Sequence, residues 1–113
     1  MKNSNLPAAY DIYIAGKITG KNYDSCFSKF EKFERECLAK GISCINPMKI
    51  VKKNTEWINA MKICISELVK CNYIYFFSDW IDSKGSRLEY NISKNLNIKI
   101  LHQVNFNWKE FTN

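Results

Sequence analysis

The sequence predicts an α/β domain with a small doubly wound parallel sheet of four to five strands, flavodoxin- or Rossmann-like, and helices on both faces. Four short apolar segments alternate with stretches of helical periodicity, a pattern typical of parallel strands joined by right-handed crossovers. The segment 73–77 is aromatic and β-branched without a polar break, as in a strand buried on both faces. A polar loop and a helix follow it, and this strand–loop–helix unit faces the ligand in open α/β sheets.

Length and composition limit the functional classes. The chain has 113 residues, which predicts one domain over residues 1–113. It has no run of eighteen apolar residues that could span a membrane, and the short polar segment 1–9 does not resemble a signal peptide. The single histidine and the lack of clustered ligands argue against a metal site, and we expect no cofactor.

The cysteines predict free thiols in a reducing cytoplasm. Their number is odd, no C-x-x-C motif occurs, and several lie at apolar positions: Cys26, Cys37, Cys44, Cys64 and Cys71.

The formal net charge of +6 has more than one explanation. Nucleic-acid binding is one, and a general bias towards Lys, Asn and Ile is another, because the lysines are scattered along the chain. We favour a basic domain that suits an anionic small ligand, with neither nucleic acid nor a membrane as partner.

The first half of the chain predicts a strand at 12–15, a helix at 22–40 and a second strand at 42–45. The loop 16–20 between glycines contains Lys17 and Thr19 and can hold phosphate through backbone N–H groups and a cation. Asn22 or Asp24 can cap the helix, and Gly41 ends it. One apolar stripe is expected to face the core: Phe27, Phe30, Phe33, Cys37 and Leu38.

The second half begins with a loop that is expected to be solvated and contains Lys49, Lys52 and Lys53. Thr55 can cap the next helix, which runs to about Lys70. Its apolar face is Trp57, Met61, Cys64, Ile65 and Leu68.

The strand 73–77 leads into the third helix, from 85 to 95, and then into a fourth strand at 98–101. The third helix has apolar residues at helical spacing: Leu88, Ile92 and Leu96. The tail 104–113 contains three large aromatic side chains, so it is expected to pack on the domain or on a second subunit.

Strands one and three are predicted to lie at the centre of the sheet, so the loops 16–20 and 78–86 should converge on one ligand site. Glu89 lies about one turn into the helix, where the positive end of the helix dipole favours an ionised carboxylate. Glu89 is therefore a candidate functional residue, and the alternative is an ordinary first-turn charge.

Several short motifs occur in order along the chain: Tyr13-Ile14-Ala15-Gly16, Ile18-Thr19-Gly20, Ile45-Asn46-Pro47, and Trp80 with Ser83-Lys84-Gly85-Ser86 and Glu89. Together they resemble the nucleoside 2-deoxyribosyltransferase superfamily, and most closely its small branch of uncharacterised phage and bacterial domains. The resemblance implies cleavage or exchange of the N-glycosidic bond of deoxynucleosides or their 5′-monophosphates, and it implies sites that borrow residues from a neighbouring subunit. We therefore expect a homo-oligomer, at least a dimer, that binds a nucleotide or nucleoside.

The resemblance also implies roles for individual residues. Glu89 would be the nucleophile on the anomeric carbon of the sugar, and Tyr13 would hydrogen-bond to it and orient it. Lys17, Thr19 and Ser83 would hold a 5′-phosphate. The full set implied for substrate and phosphate is Gly16, Lys17, Ile18, Thr19, Gly20, Ser83, Gly85 and Ser86.

The chain departs from the family pattern where a catalytic Asp and a second Asp are usual, because Cys64 and Asn72 stand there. Lys17 also replaces a frequent Pro. Glu67, Asp79 or Asp82 could instead supply an acid or a sugar contact. Two functions remain open: an N-glycosidase or deoxyribosyltransferase, or a module of the same fold that binds a nucleotide or nucleotide-derived signal. A structural partner domain explains Glu89 and the glycine loops least well.

Overall fold

The computed structural model describes residues 10–112, so the expectation for residues 1–9 lies outside the described part of the chain. Four parallel strands form one sheet in the order β2-β1-β3-β4. They are β1 (Tyr10–Ala15), β2 (Cys44–Ile45), β3 (Cys71–Phe76) and β4 (Lys99–His102). The helices are α1 (Tyr23–Ala39), α2 (Pro47–Ile50), α3 (Trp57–Leu68), α4 (Lys84–Asn95) and α5 (Trp108–Phe111). The predicted α/β class, the parallel sheet and the central position of strands one and three are confirmed.

The two central strands direct alternate side chains into two cores, because successive residues of a strand point to opposite faces. Ile12 and Ile14 of β1 pack on one face with α1, and Tyr13 and Ala15 pack on the other with α3. In β3, Ile74 and Phe76 are both fully buried. Helices therefore cover both faces, and the residues at the carboxyl ends of β1 and β3 lie next to each other.

The aromatic tail packs on the domain itself, which was one of the two expected outcomes. The Trp108 ring stacks on Phe33 with centroids 5.5 Å apart, and Phe111 meets Tyr73 edge-on at 4.9 Å. Trp108 Nε1 also donates a hydrogen bond to Glu36 at 2.9 Å. The tail thus covers the α1 side of the sheet.

The segment after β2 differs from the prediction. Residues 47–50 form the short helix α2 rather than loop, because the Asn46 side chain accepts the Met48 N–H at 3.0 Å and Pro47 occupies the first turn. Lys49 lies in this helix and pairs with Glu34 at 2.7 Å. Thr55 does not cap α3, because its hydroxyl donates to the Lys52 carbonyl at 2.6 Å.

Helix α4 leaves part of its apolar stripe exposed. Leu88 and Leu96 are 38% and 55% exposed, and Leu38 on α1 is 60% exposed. The buried residues of α4 are instead small or polar: Gly85, Ser86, Glu89 and Ser93. A Cβ on Gly85 would lie 2.9 Å from Met61 Sδ, so a larger residue there would have to displace the Met61 side chain.

Between residues 10 and 112, no helix has both the length and the apolar character needed to cross a bilayer.

Candidate functional site

A cavity of about 340 Å³ lies at the carboxyl ends of β1 and β2, beside the start of α4. In parallel α/β sheets this edge is where ligands bind. The loop after β1, the segment between α2 and α3, and the first turns of α3 and α4 form its walls. Its lining includes Tyr13, Gly16, Ile18, Thr19, Tyr23, Lys52, Lys53, Trp57, Met61, Cys64, Ser83, Gly85, Ser86 and Glu89.

A buried hydrogen bond joins Tyr13 and Glu89 in the wall of this cavity. The Tyr13 hydroxyl donates to Glu89 Oε2 at 2.6 Å, across 76 residues of sequence. Tyr13 is 1% exposed and Glu89 is 5% exposed. Such short O–H···O contacts are characteristic of a hydroxyl bound to a carboxylate. The parallel pairing of β1 and β3 and the crossover to α4 bring these distant residues together.

Burial sets the protonation of the pair. It raises the pKa of Glu89 from 4.5 to about 7, and the Tyr13 hydrogen bond opposes this rise. Burial, together with the negative charge of Glu89, raises the pKa of Tyr13 well above 10. Tyr13 therefore remains a proton donor, while the Glu89 carboxyl changes its charge near neutral pH.

Cys64 lines the same cavity from α3. Burial raises the pKa of its thiol to about 11, although the neighbouring Tyr13 hydroxyl opposes the rise. Cys64 is consequently a neutral thiol at pH 7 rather than a nucleophilic thiolate.

The start of α4 forms a polar wall. The Ser83 hydroxyl accepts the Ser86 N–H at 3.1 Å and so caps the helix. Because the remaining N–H groups of the first turn have no partner within the helix, this end attracts negative charge. The cavity thus combines a buried carboxyl with a helix start that suits an anion.

Asp79 connects the loops that follow β1 and β3. Its carboxylate accepts the Lys17 backbone N–H at 3.0 Å and contacts Nζ of Lys29 at 3.0 Å and of Lys21 at 3.2 Å. A Cβ on Gly16 would lie 2.8 Å from the ring of Phe77, so only glycine lets the two loops approach this closely. Asp79 therefore holds the site together from outside the cavity.

The structure brings together most of the residues predicted for the site. Those that line the cavity are Tyr13, Gly16, Ile18, Thr19, Ser83, Gly85, Ser86 and Glu89. Those that do not are Lys17, Gly20, Glu67, Asp79 and Asp82.

Glu67 and Asp82, the two acidic candidates besides Asp79, lie away from the cavity because of their positions in the fold. The cavity faces α3 from Trp57 to Cys64, whereas Glu67 lies in the last turn and pairs with Lys70 at 3.1 Å. Asp82 ends the short 3-10 turn Trp80–Asp82 and is exposed.

Several cavity residues were not predicted as site residues, among them Tyr23, Lys52, Lys53 and Trp57. Lys53 Nζ lies 4.7 Å from the Tyr23 ring centroid, and Lys84 Nζ lies 4.3 Å from that of Trp57. The signal that could have found Lys52, Lys53 and Trp57 is their place after β2, whose carboxyl end meets the same sheet edge as that of β1.

Searches of curated proteins and of solved structures found no match. Residues 10–102 match the profile of a family described as a domain of unknown function, DUF4406. This match includes the whole sheet and helices α1 to α4. Since the match covers most of its length, the chain belongs to the DUF4406 family.

Proposed function

We propose that this protein cleaves the N-glycosidic bond of a deoxynucleoside or its 5′-monophosphate, as an N-glycosidase or a deoxyribosyltransferase. The observation that carries the proposal is the Glu89 carboxyl, buried in the wall of the cavity and held by the Tyr13 hydroxyl at 2.6 Å. The cavity volume, about 340 Å³, falls within the range of small-molecule sites. The ordered motifs that resemble the deoxyribosyltransferase superfamily converge on this cavity.

The proposed reaction begins with attack of a Glu89 oxygen on the anomeric carbon of the sugar. The bond from this carbon to the base nitrogen breaks, and its electron pair leaves with the base. The carboxylate stabilises the oxocarbenium-like sugar and traps it as an ester, as in retaining glycosidases. Water or a second base then releases the sugar. Tyr13 orients the attacking carboxylate and donates a hydrogen bond to it in the ground state.

One observation favours a second candidate, a nucleotide-binding module without turnover. Among residues 10–112, Glu89 is the carboxylate that lines the cavity, and a departing base also needs a proton or hydrogen bonds. Cys64 lies in the cavity near Tyr13, but its high pKa makes it a weak acid. The same pocket would then hold a nucleotide or a nucleotide-derived signal without cleaving it.

Base release distinguishes the two candidates. Purified protein is incubated with the four deoxynucleosides and their 5′-monophosphates, and free base is measured by chromatography. For an enzyme with Glu89 as nucleophile, Glu89→Gln should lower release at least about a hundredfold, equivalent to about 3 kcal/mol of barrier. Glu110→Gln on the exposed tail is the matched control and should leave the rate unchanged.

Each alternative has its own outcome. Wild-type release that Glu89→Gln leaves intact would exclude Glu89 as nucleophile. Binding of monophosphates without any release by wild type would support the binding module instead.

We also propose a homo-oligomer in a reducing cytoplasm. The tail packs internally and no longer supports association, but large apolar side chains remain exposed elsewhere, among them Ile58 at 56%, Ile81 at 60% and Leu88 at 38%. Association would remove this surface from water and stabilise a small domain. Light scattering should give at least twice the chain mass of 13.3 kDa, and a strict monomer at high micromolar concentration would contradict the proposal.

A further inference from the structure

The segment between α2 and α3 forms a fixed turn at the cavity. The Lys52 carbonyl accepts the Thr55 N–H at 3.1 Å and the Thr55 hydroxyl at 2.6 Å. Asn54 has φ 72°, a left-handed conformation that Asn adopts more readily than most residues. All four residues of this turn, Lys52 to Thr55, line the cavity. Local hydrogen bonds therefore fix the backbone that carries two adjacent lysines.

No acidic side chain pairs with these two lysines within the described part of the chain. Lys21, Lys29, Lys49 and Lys70 form ion pairs, whereas Lys52 and Lys53 form none among residues 10–112. Both lysines are exposed where they line the cavity, so they mark its mouth, whereas Glu89 lines it from a buried position. The ring of Tyr23 holds the Lys53 ammonium at this mouth, 4.7 Å from its centroid.

The same cavity offers further groups for an anion. The Ser83 hydroxyl and the first turn of α4 line it, and Thr19 adds a second hydroxyl. A phosphate monoester carries nearly two negative charges at neutral pH, which two ammonium groups and a helix start can balance. A nucleoside has no such group and would leave both lysines without a partner.

We propose that the Lys52–Thr55 turn binds the phosphate monoester of a nucleotide and makes the cavity selective for 5′-monophosphates over nucleosides. The class of ligand, a nucleotide or nucleoside, rests on the proposed function. The new element is the set of residues that distinguishes a monophosphate from a nucleoside. It reassigns the phosphate-binding cation, which the sequence placed at Lys17. Lys17 does not line the cavity, and its backbone N–H is bound to Asp79.

The test measures affinity without turnover. The Glu89→Gln chain is titrated by calorimetry with the four deoxynucleosides and their 5′-monophosphates, with and without the added double change Lys52→Ala and Lys53→Ala. The control is Lys62→Ala with Lys99→Ala, which removes the same charge from two exposed sites outside the cavity. Selectivity is the ratio of the nucleoside Kd to the monophosphate Kd.

The turn variant should lower this selectivity roughly 10- to 25-fold, as expected for two exposed charge contacts of about fivefold each. The nucleoside Kd should stay constant, and the control should retain the selectivity. A fall of less than fivefold, an equal fall in the control, or no binding of any monophosphate would overturn the proposal. Because no step requires catalysis, a clear fall would stand even if wild type released no base. A negligible fall would reject the lysines even if base release were rapid.

Discussion

Glu89 should make the stability of this protein depend on pH in a way that Glu89→Gln abolishes. The pKa of this carboxyl is 4.5 in an unfolded chain and about 7 in the buried site. Between these values the unfolded chain has released its proton while the folded chain retains it. The folded state therefore loses stability as the pH rises from 4.5 to about 7, and above pH 7 no further loss occurs.

The size of the effect follows from the pKa change. A shift from 4.5 to about 7, at about 1.4 kcal/mol per unit, corresponds to about 3 kcal/mol. Little of this is screened by solvent, because Glu89 is only 5% exposed. Gln cannot ionise but still offers an oxygen to the Tyr13 hydroxyl. Gln and Glu also differ in their contribution to the free energy of unfolding at every pH, but this constant part does not affect how the difference between the two proteins changes with pH.

The assay is urea unfolding of wild type and Glu89→Gln from pH 5 to pH 8. The free energy of unfolding of the variant, minus that of wild type, should rise by about 2.5 kcal/mol over this range, because part of the change already occurs below pH 5. Glu110→Gln, on the exposed tail, should show a difference that does not change with pH. A flat difference for Glu89→Gln, within about 0.5 kcal/mol, would show that the carboxyl is not buried as the structure has it.

Three further changes test the surroundings of the site. Tyr13→Phe removes the hydrogen bond that favours the ionised form of Glu89. When Glu89→Gln is compared with its parent in this background, the pH-dependent difference in the free energy of unfolding should have its midpoint above pH 7. Gly16→Ala places a Cβ 2.8 Å from the Phe77 ring and should lower the free energy of unfolding by about 1–3 kcal/mol in urea titrations; an unchanged value would contradict the close approach. Ser93→Ala removes a fully buried hydroxyl that has no partner, so thermal unfolding should occur at the same or a higher temperature, and a clear loss would reveal a missed hydrogen bond.

The sheet could be predicted because its signals are local. Strand β3 is apolar at every position from 73 to 77, which indicates burial on both faces and therefore a central place. The glycine-bounded loop after β1 and the polar loop after β3 then fall at one edge by the geometry of parallel strands. The approach of Tyr13 to Glu89 was expected only from the resemblance to the nucleoside 2-deoxyribosyltransferase superfamily, and the parallel pairing of β1 and β3 accounts for it.

The buried face of α4 could not be predicted from hydrophobic periodicity. Leu88, Ile92 and Leu96 repeat at helical spacing, but the helix buries the stripe one residue away from them, at Gly85, Glu89 and Ser93. Close packing on Met61 favours a small residue at 85, and the cavity accepts a polar one at 89. A prediction that considers only apolar residues identifies the wrong face of such a helix as the buried one.

Two features of the segment after β2 were not predicted from the sequence, for different reasons. Helix α2 could have been predicted, because Asn46 followed by Pro47 is a typical helix start. The place of Lys52 and Lys53 after β2 indicates the correct edge of the sheet, but exposed lysines in a loop have the same sequence pattern whether or not a cavity lies beside them. Their position depends on where α1 and α3 begin relative to that loop, which is a tertiary property.

The burial of Glu89 bears on the simplest alternative, an ordinary charge in the first turn of a helix. Such charges gain from the helix dipole while they remain in water, at no cost of desolvation. Glu89 is instead 5% exposed, has a neutral hydroxyl rather than a cation as its partner, and lowers stability by about 3 kcal/mol above pH 7. An apolar residue at this position would avoid that cost. The arrangement is therefore better explained by a ligand that needs the carboxyl than by the requirements of folding, and this supports a chemical role for Glu89.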